Sequence, residues 1–124
     1  MRQNRILIVA GISGFIAVAV GAFGAHALKG ILTVNGRLDT FELAVRYQFY
    51  HTFALLAAGI LIEKFPTLYT TFIFFTVGII IFCGSLYILS LTNQTWWGAV
   101  TPIGGSAFIA GWLNLVWAVI RQKN

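Results

Sequence analysis

Ile6 to Leu28 is an apolar run of about 23 residues with no charged side chain, and a helix needs about 20 such residues to cross the hydrocarbon core of a bilayer. That one stretch excludes most soluble folds. Three further apolar segments follow, at about 41–62, 68–91 and 101–120, separated by short polar connections. The first run also mimics an export signal, with Arg2 and Arg5 before it and Ala25-His26-Ala27 near its end. Its apolar core exceeds the 7–15 residues usual in such a signal, so it is read as a first span.

Composition agrees with this solvent assignment. The chain has 124 residues, 59% hydrophobic and 9% charged, where a soluble domain carries about 25% charged residues. Its mean hydropathy is +0.88. The net charge of +5 does not argue for nucleic acid, because the basic residues flank the apolar runs instead of forming a phosphate-binding patch. Cys83 is the lone cysteine, which excludes an internal disulfide and a cysteine-rich metal site.

The sequence therefore predicts an all-α membrane protein, a single domain folded as an antiparallel up-down-up-down four-helix transmembrane bundle. Small residues repeat at helical spacing along the first and fourth spans. Gly14, Ala17, Gly21 and Gly24 draw one seam, and Gly104 and Gly111 belong to another; such stripes let helices approach closely. Asn35-Gly36 signals a turn, with Lys29 to Asp39 read as a surface loop. Asp39 and Glu42 have capping-box spacing, which starts the second helix near Thr40. Thr101-Pro102 reads as a capping hydroxyl with proline in the first turn. Tyr69, Trp96, Trp97 and Trp117 occupy belt positions near span ends.

Charge sets the expected orientation. Arg2, Arg5, Lys64, Arg121 and Lys123 share one side, and Lys29, Arg37 and Arg46 the other. The positive-inside rule then places both termini in the cytoplasm.

Polar residues at membrane depth are costly and are candidates for function. Glu42 and Arg46 fall on one helical face in the favoured order for an ion pair. His26, Arg46, Gln48, His51 and Tyr87 are the candidate ligand-binding residues, all in the half away from the termini. A metal is not expected, because two histidines and one cysteine at a different depth do not supply the three or four ligands zinc needs. No paired carboxylates, phosphate loop, activated nucleophile or cofactor signature is present, so neither an enzyme nor a cofactor is expected. The expected partners are the lipid bilayer, a second copy of the chain or another membrane protein, and a small ligand.

Four stretches in order carry a resemblance: Gly21-Ala22-Phe23-Gly24-Ala25-His26, Tyr47-Gln48-Phe49-Tyr50-His51, Gly84-Ser85-Leu86-Tyr87 and Thr101-Pro102-Ile103-Gly104-Gly105, with Gly111-Trp112 after them. Together they resemble the signature of the YwdK/YgdD-like family of small bacterial membrane proteins. The resemblance implies a four-span protein of the bacterial cytoplasmic membrane, relatives in the mitochondrial inner membrane, and no assigned activity. Its motif residues here are His26, Tyr47, Gln48, His51, Ser85, Tyr87, Thr101 and Pro102. Cys83 departs mildly from the small residue that precedes Gly-Ser in the family. Two functions remain open: a non-enzymatic structural or interaction protein, and a binding or transport protein for a solute, a proton or a lipid headgroup.

Overall fold

Runs of leucine, isoleucine, valine, phenylalanine and alanine with few breakers become long helices, because in lipid every backbone donor and acceptor must be satisfied within the segment. The computed structural model describes residues 1–122, so Lys123 of the expected basic flank lies outside the described residues. Helix α1 is Arg2–His26, α2 is Lys29–Val34 and α3 is Leu38–Leu61. The third apolar segment is one continuous helical rod, Leu68–Thr92, made of α4 (Leu68–Gly78), a π-helical turn (Ile79–Cys83) and α5 (Gly84–Thr92). Helix α6 is Trp97–Arg121.

Among the described residues three helices are long and apolar enough to cross a membrane: Arg2–His26, Leu68–Thr92 and Trp97–Arg121, each of 25 residues. Helix α3 has 24 residues and is less apolar, since Arg46, Gln48 and His51 interrupt it. Large apolar side chains such as Phe15, Phe23, Ile103 and Ile120 point outward. That outward face suits acyl chains.

Three local expectations need correcting. The segment read as a surface loop contains α2, a single short helix, before Asn35 and Gly36 turn the chain with Gly36 at φ 66°. Helix α3 starts at Leu38, so Asp39 lies in its first turn rather than capping it; a carboxylate there still complements the helix dipole. Helix α6 starts at Trp97, which puts Pro102 inside the helix and leaves Thr101 without a capping role. The Thr101 hydroxyl instead donates back to Trp97 O at 3.3 Å.

The helices meet where side chains are smallest. On α1, Gly24 abuts the ring of Phe41, Gly21 faces Val45 and Gly14 faces Thr52, while Ala17 is fully buried. Farther down, Gln3 Nε2 donates to Gly59 O at 3.0 Å. Along α6, Gly111 abuts Phe75, Phe108 sits against Gly78, and Gly104 lies directly on the backbone of Phe82 in the π-helical turn. An added methyl at Gly104 would strike main chain, which cannot swing aside.

Both ends are tied. Asn35 Nδ2 donates to Ser90 O at 3.0 Å and to Leu91 O at 3.3 Å, and Arg37 Nε donates to Asn93 Oδ1 at 3.0 Å. These bonds fasten the α2–α3 connection to the end of α5, satisfying carbonyls that a helix C-terminus leaves open. At the other end Asn114 Nδ2 donates to Thr67 O at 3.1 Å and Thr71 Oγ1 at 2.8 Å. Arg2 lies 4.9 Å from the Tyr69 ring centre and Arg121 4.8 Å from that of Trp117, cation–π geometry between basic residues and members of the expected aromatic belt.

Candidate functional site

Gln48 sits in the middle of α3 with 3% of its surface exposed, and each end of its amide has a partner on a different helix. Its Nε2 donates to Ser13 O of α1 at 3.0 Å, and its Oε1 accepts from the Tyr87 hydroxyl of α5 at 2.7 Å. A carbonyl only accepts and an amide oxygen only accepts, so these contacts fix which way the amide points. One side chain joins three helices.

The network closes on itself. Thr52 Oγ1 donates to Gln48 O at 2.6 Å, so the 2.7 Å contact between Ser13 Oγ and Thr52 Oγ1 has serine as its donor. Every polar group in this knot is satisfied by protein, the condition for burying polar atoms without a large penalty.

One turn farther along α3, His51 is also buried. Its Nδ1 lies 2.8 Å from Tyr47 O, and Trp112 Nε1 donates to its Nε2 at 3.1 Å. The carbonyl needs a donor and the indole needs an acceptor. Together they require the neutral ring with the proton on Nδ1. Phe108 stacks on the imidazole at 3.6 Å between ring centres and 13° between planes, with Phe75 edge-on at 5.2 Å. Neither nitrogen has a lone pair to offer a metal or a substrate unless Trp112 leaves.

Helices α3 and α6 are bridged by these rings across an open groove of about 570 Å³ lined by Tyr47, Tyr50, His51, Phe82, Phe108 and Trp112. Ser85 and Thr101 share a 2.7 Å hydrogen bond that ties α5 to the start of α6. Among the described residues Trp97 Nε1 is a buried side-chain nitrogen without a partner.

The five candidate residues do not form one site. Gln48 and Tyr87 are bonded to each other; His51 lies beside them in the interior but bonds to Trp112. His26 ends α1 and is exposed, as are Arg46 and Glu42 on the outer side of α3. At 3.6 residues per turn Gln48 stands about 200° around the helix from Arg46, so equal depth put them on opposite faces. The expected Glu42–Arg46 ion pair does not form: among the described residues no carboxylate oxygen lies within 4.0 Å of a basic nitrogen. Nor do any three histidine, cysteine or acidic side chains among them gather as a metal set.

Sequence reasoning missed Ser13, Thr52 and Trp112 as members of the interior network. Ser13 lies beside the small-residue stripe and Thr52 one turn beyond Gln48, which is a usable signal. A tryptophan away from a span end needs an acceptor for its N–H, and His51 supplies it.

A chain whose described residues form helices joined by short turns, with long apolar rods that turn their large side chains outward and tie polar groups together inside, is an integral membrane protein. Comparison with known proteins agrees: a family described as "Protein of unknown function (DUF423)" matches residues 20–105. The chain belongs to this family, and it is similar to the UPF0382 membrane proteins YgdD and YwdK, as the four motifs indicated. It is 38% identical over 125 residues to the inner membrane protein YgdD of Escherichia coli K12, covering 99% of this chain and 95% of the relative. It is 37% identical over 118 residues to the membrane protein YwdK of Bacillus subtilis 168, covering 93% and 95%. With the membrane protein SSP2132 of Staphylococcus saprophyticus the identity is 44% over 112 residues, covering 89% and 92%. No solved structure matches. No catalytic activity is indicated for the family.

Proposed function

We propose that this protein is a non-enzymatic component of the bacterial cytoplasmic membrane, an up-down-up-down bundle of four spans whose interior polar residues hold its helices in register. Its contacts with lipid, with a second copy or with another membrane protein are made through the outward apolar faces of α1 and α6. The observation that carries the reading is closure of the Gln48 network. Both ends of the amide are bonded within the chain, and the two nitrogens of His51 are likewise taken. A solute or proton site inside the helices needs an interior polar group left free to bind it, and neither Gln48 nor His51 is free.

The four-span arrangement is supported by the order of contacts. Residues 3, 14, 21 and 24 of α1 meet 59, 52, 45 and 41 of α3, and 104, 108 and 111 of α6 meet 82, 78 and 75. Tyr87 and Phe82 in turn meet Phe41 and Tyr47. This order of contacts is what an antiparallel pairing of neighbours gives, and it supports reading α3 as a span alongside α1. Met1, Arg2 and Gln3 line one cleft with Ile62, Glu63 and Pro66, consistent with termini on the more basic, cytoplasmic side.

Two experiments test this. In a variant with Cys83 replaced by alanine, single cysteines at Gly36 and Gln94 should react with an impermeant maleimide from the periplasm, and one at Pro66 from the cytoplasm alone. Labelling of residues 36 and 66 from the same side would overturn the four-span reading. For the interior, Gln48→Leu should lower stability in detergent; unchanged stability would remove the case for a structural network.

A further inference from the structure

On the outer side of α3, two opposite charges stand without an ion-pair or hydrogen-bond partner among the described residues. Glu42 and Arg46 are both exposed and line a cleft of about 210 Å³ between α1 and α3, walled by Phe41 and Val45 and floored by Gly21 and Gly24. They are one helical turn apart, the spacing at which an acid and a base usually pair. Neither makes an ion pair among the described residues. Arg37, on the same end of the molecule, differs, because Asn93 engages its side chain.

Depth sharpens the question. Arg46 lies eight residues into α3, about 12 Å along the axis, and Glu42 about 6 Å nearer the α2 end. A guanidinium beside acyl chains is costly. Side chains on a helix lean toward its N-terminus, so both groups reach toward the same membrane surface, arginine below and glutamate above. A phospholipid presents its charges in that order too, with the phosphate next to the acyl chains and any amine on the water side of it.

We propose that the Glu42–Arg46 cleft binds the headgroup of a zwitterionic aminophospholipid, with Arg46 on the phosphate, Glu42 on the primary ammonium and the α1–α3 groove receiving the start of an acyl chain. This rests on α1 and α3 spanning the bilayer. Arginine offers forked donors to phosphate oxygens, and the primary ammonium offers N–H donors that a trimethylated amine lacks. The site therefore distinguishes phosphatidylethanolamine from phosphatidylcholine, which carries the same net charge, and from phosphatidylglycerol, which has no amine.

The test titrates the purified full-length protein in detergent with phosphatidylethanolamine, phosphatidylcholine and phosphatidylglycerol of identical acyl chains. Bound lipid is read by native mass spectrometry, and the shift in unfolding temperature is measured in parallel. One charge-assisted hydrogen bond should favour phosphatidylethanolamine by about tenfold over phosphatidylcholine. Glu42→Gln should erase that preference, Arg46→Gln should weaken both lipids, and Lys29→Gln should change neither. Equal binding of the amine and trimethylamine lipids to the native chain would overturn the proposal, as would a preference that survives Glu42→Gln or a stronger binding of phosphatidylglycerol. If Arg46→Gln does not fold, the native comparison and Glu42→Gln decide the matter. Failure here in a chain that passes the cysteine-labelling test would leave the four-span reading intact.

Discussion

Gln48 and Arg46 are two residues apart on α3 and meet opposite fates. Gln48 is buried, with donor and acceptor bonded to two other helices; Arg46 is exposed, with no protein acceptor among the described residues. The difference teaches what a bilayer permits. A neutral amide is cheap to bury once its hydrogen bonds are complete, whereas a guanidinium needs a counter-charge, which the proposed headgroup site would draw from a lipid phosphate. The interior holds its own polar groups together, and in the proposed reading the rim leaves them for the membrane.

Replacing Gln48 should give the largest effect. Gln48→Leu keeps most of the volume but strands the Tyr87 hydroxyl and removes the bond to Ser13, and a stranded buried group costs about 1–3 kcal/mol. Unfolding in a graded detergent mixture would measure it, and addition of Tyr87→Phe should recover part of the loss. If Gln48→Leu costs no more than Arg46→Gln, the contrast between inside and rim collapses.

Trp112→Phe comes next. It leaves His51 Nε2 without its donor while retaining an aromatic ring in the groove, so the expected loss is that of one interhelical hydrogen bond, about 0.6 kcal/mol and up to about 1.7. The same unfolding assay reads it. An effect exceeding that of Gln48→Leu would move the centre of the network from α1–α3–α5 to the α3–α6 groove.

How far these two faces could be told apart beforehand follows from the physics of each signal. Run length and hydropathy depend on composition alone, so the long helices were legible, and so was the turn at Asn35-Gly36. Gly24 and Gly104 were legible as small, but what each touches, a ring in one case and main chain in the other, depends on a partner helix that sequence does not position. The π-helical turn at Ile79–Cys83 has no signal in its residues, and α2 is too short to show a period. Grouping Arg46 with Gln48 and His51 failed because depth was considered without the 100° per residue that separates their faces. The motif stretches from Tyr47 to His51 and from Gly84 to Tyr87 pointed at the right segments, yet the residues that complete their bonds, Ser13 and Thr52, lie outside all of them.

The smallest expected effect is the most specific. Arg46→Gln removes a charge that has no ion-pair or hydrogen-bond partner among the described residues, so unfolding in detergent without added lipid should shift by less than about 0.5 kcal/mol, as for surface substitutions in general. The same variant should lose the stabilisation that added phosphatidylethanolamine gives the native chain, because the proposed counter-charge for Arg46 is a lipid phosphate. Stability without lipid and response to lipid are thereby separated at one residue. Should Arg46→Gln destabilise the lipid-free protein as much as Gln48→Leu does, Arg46 would belong to the fold, and the division between a closed interior and an open rim would have to be redrawn four residues away at Glu42.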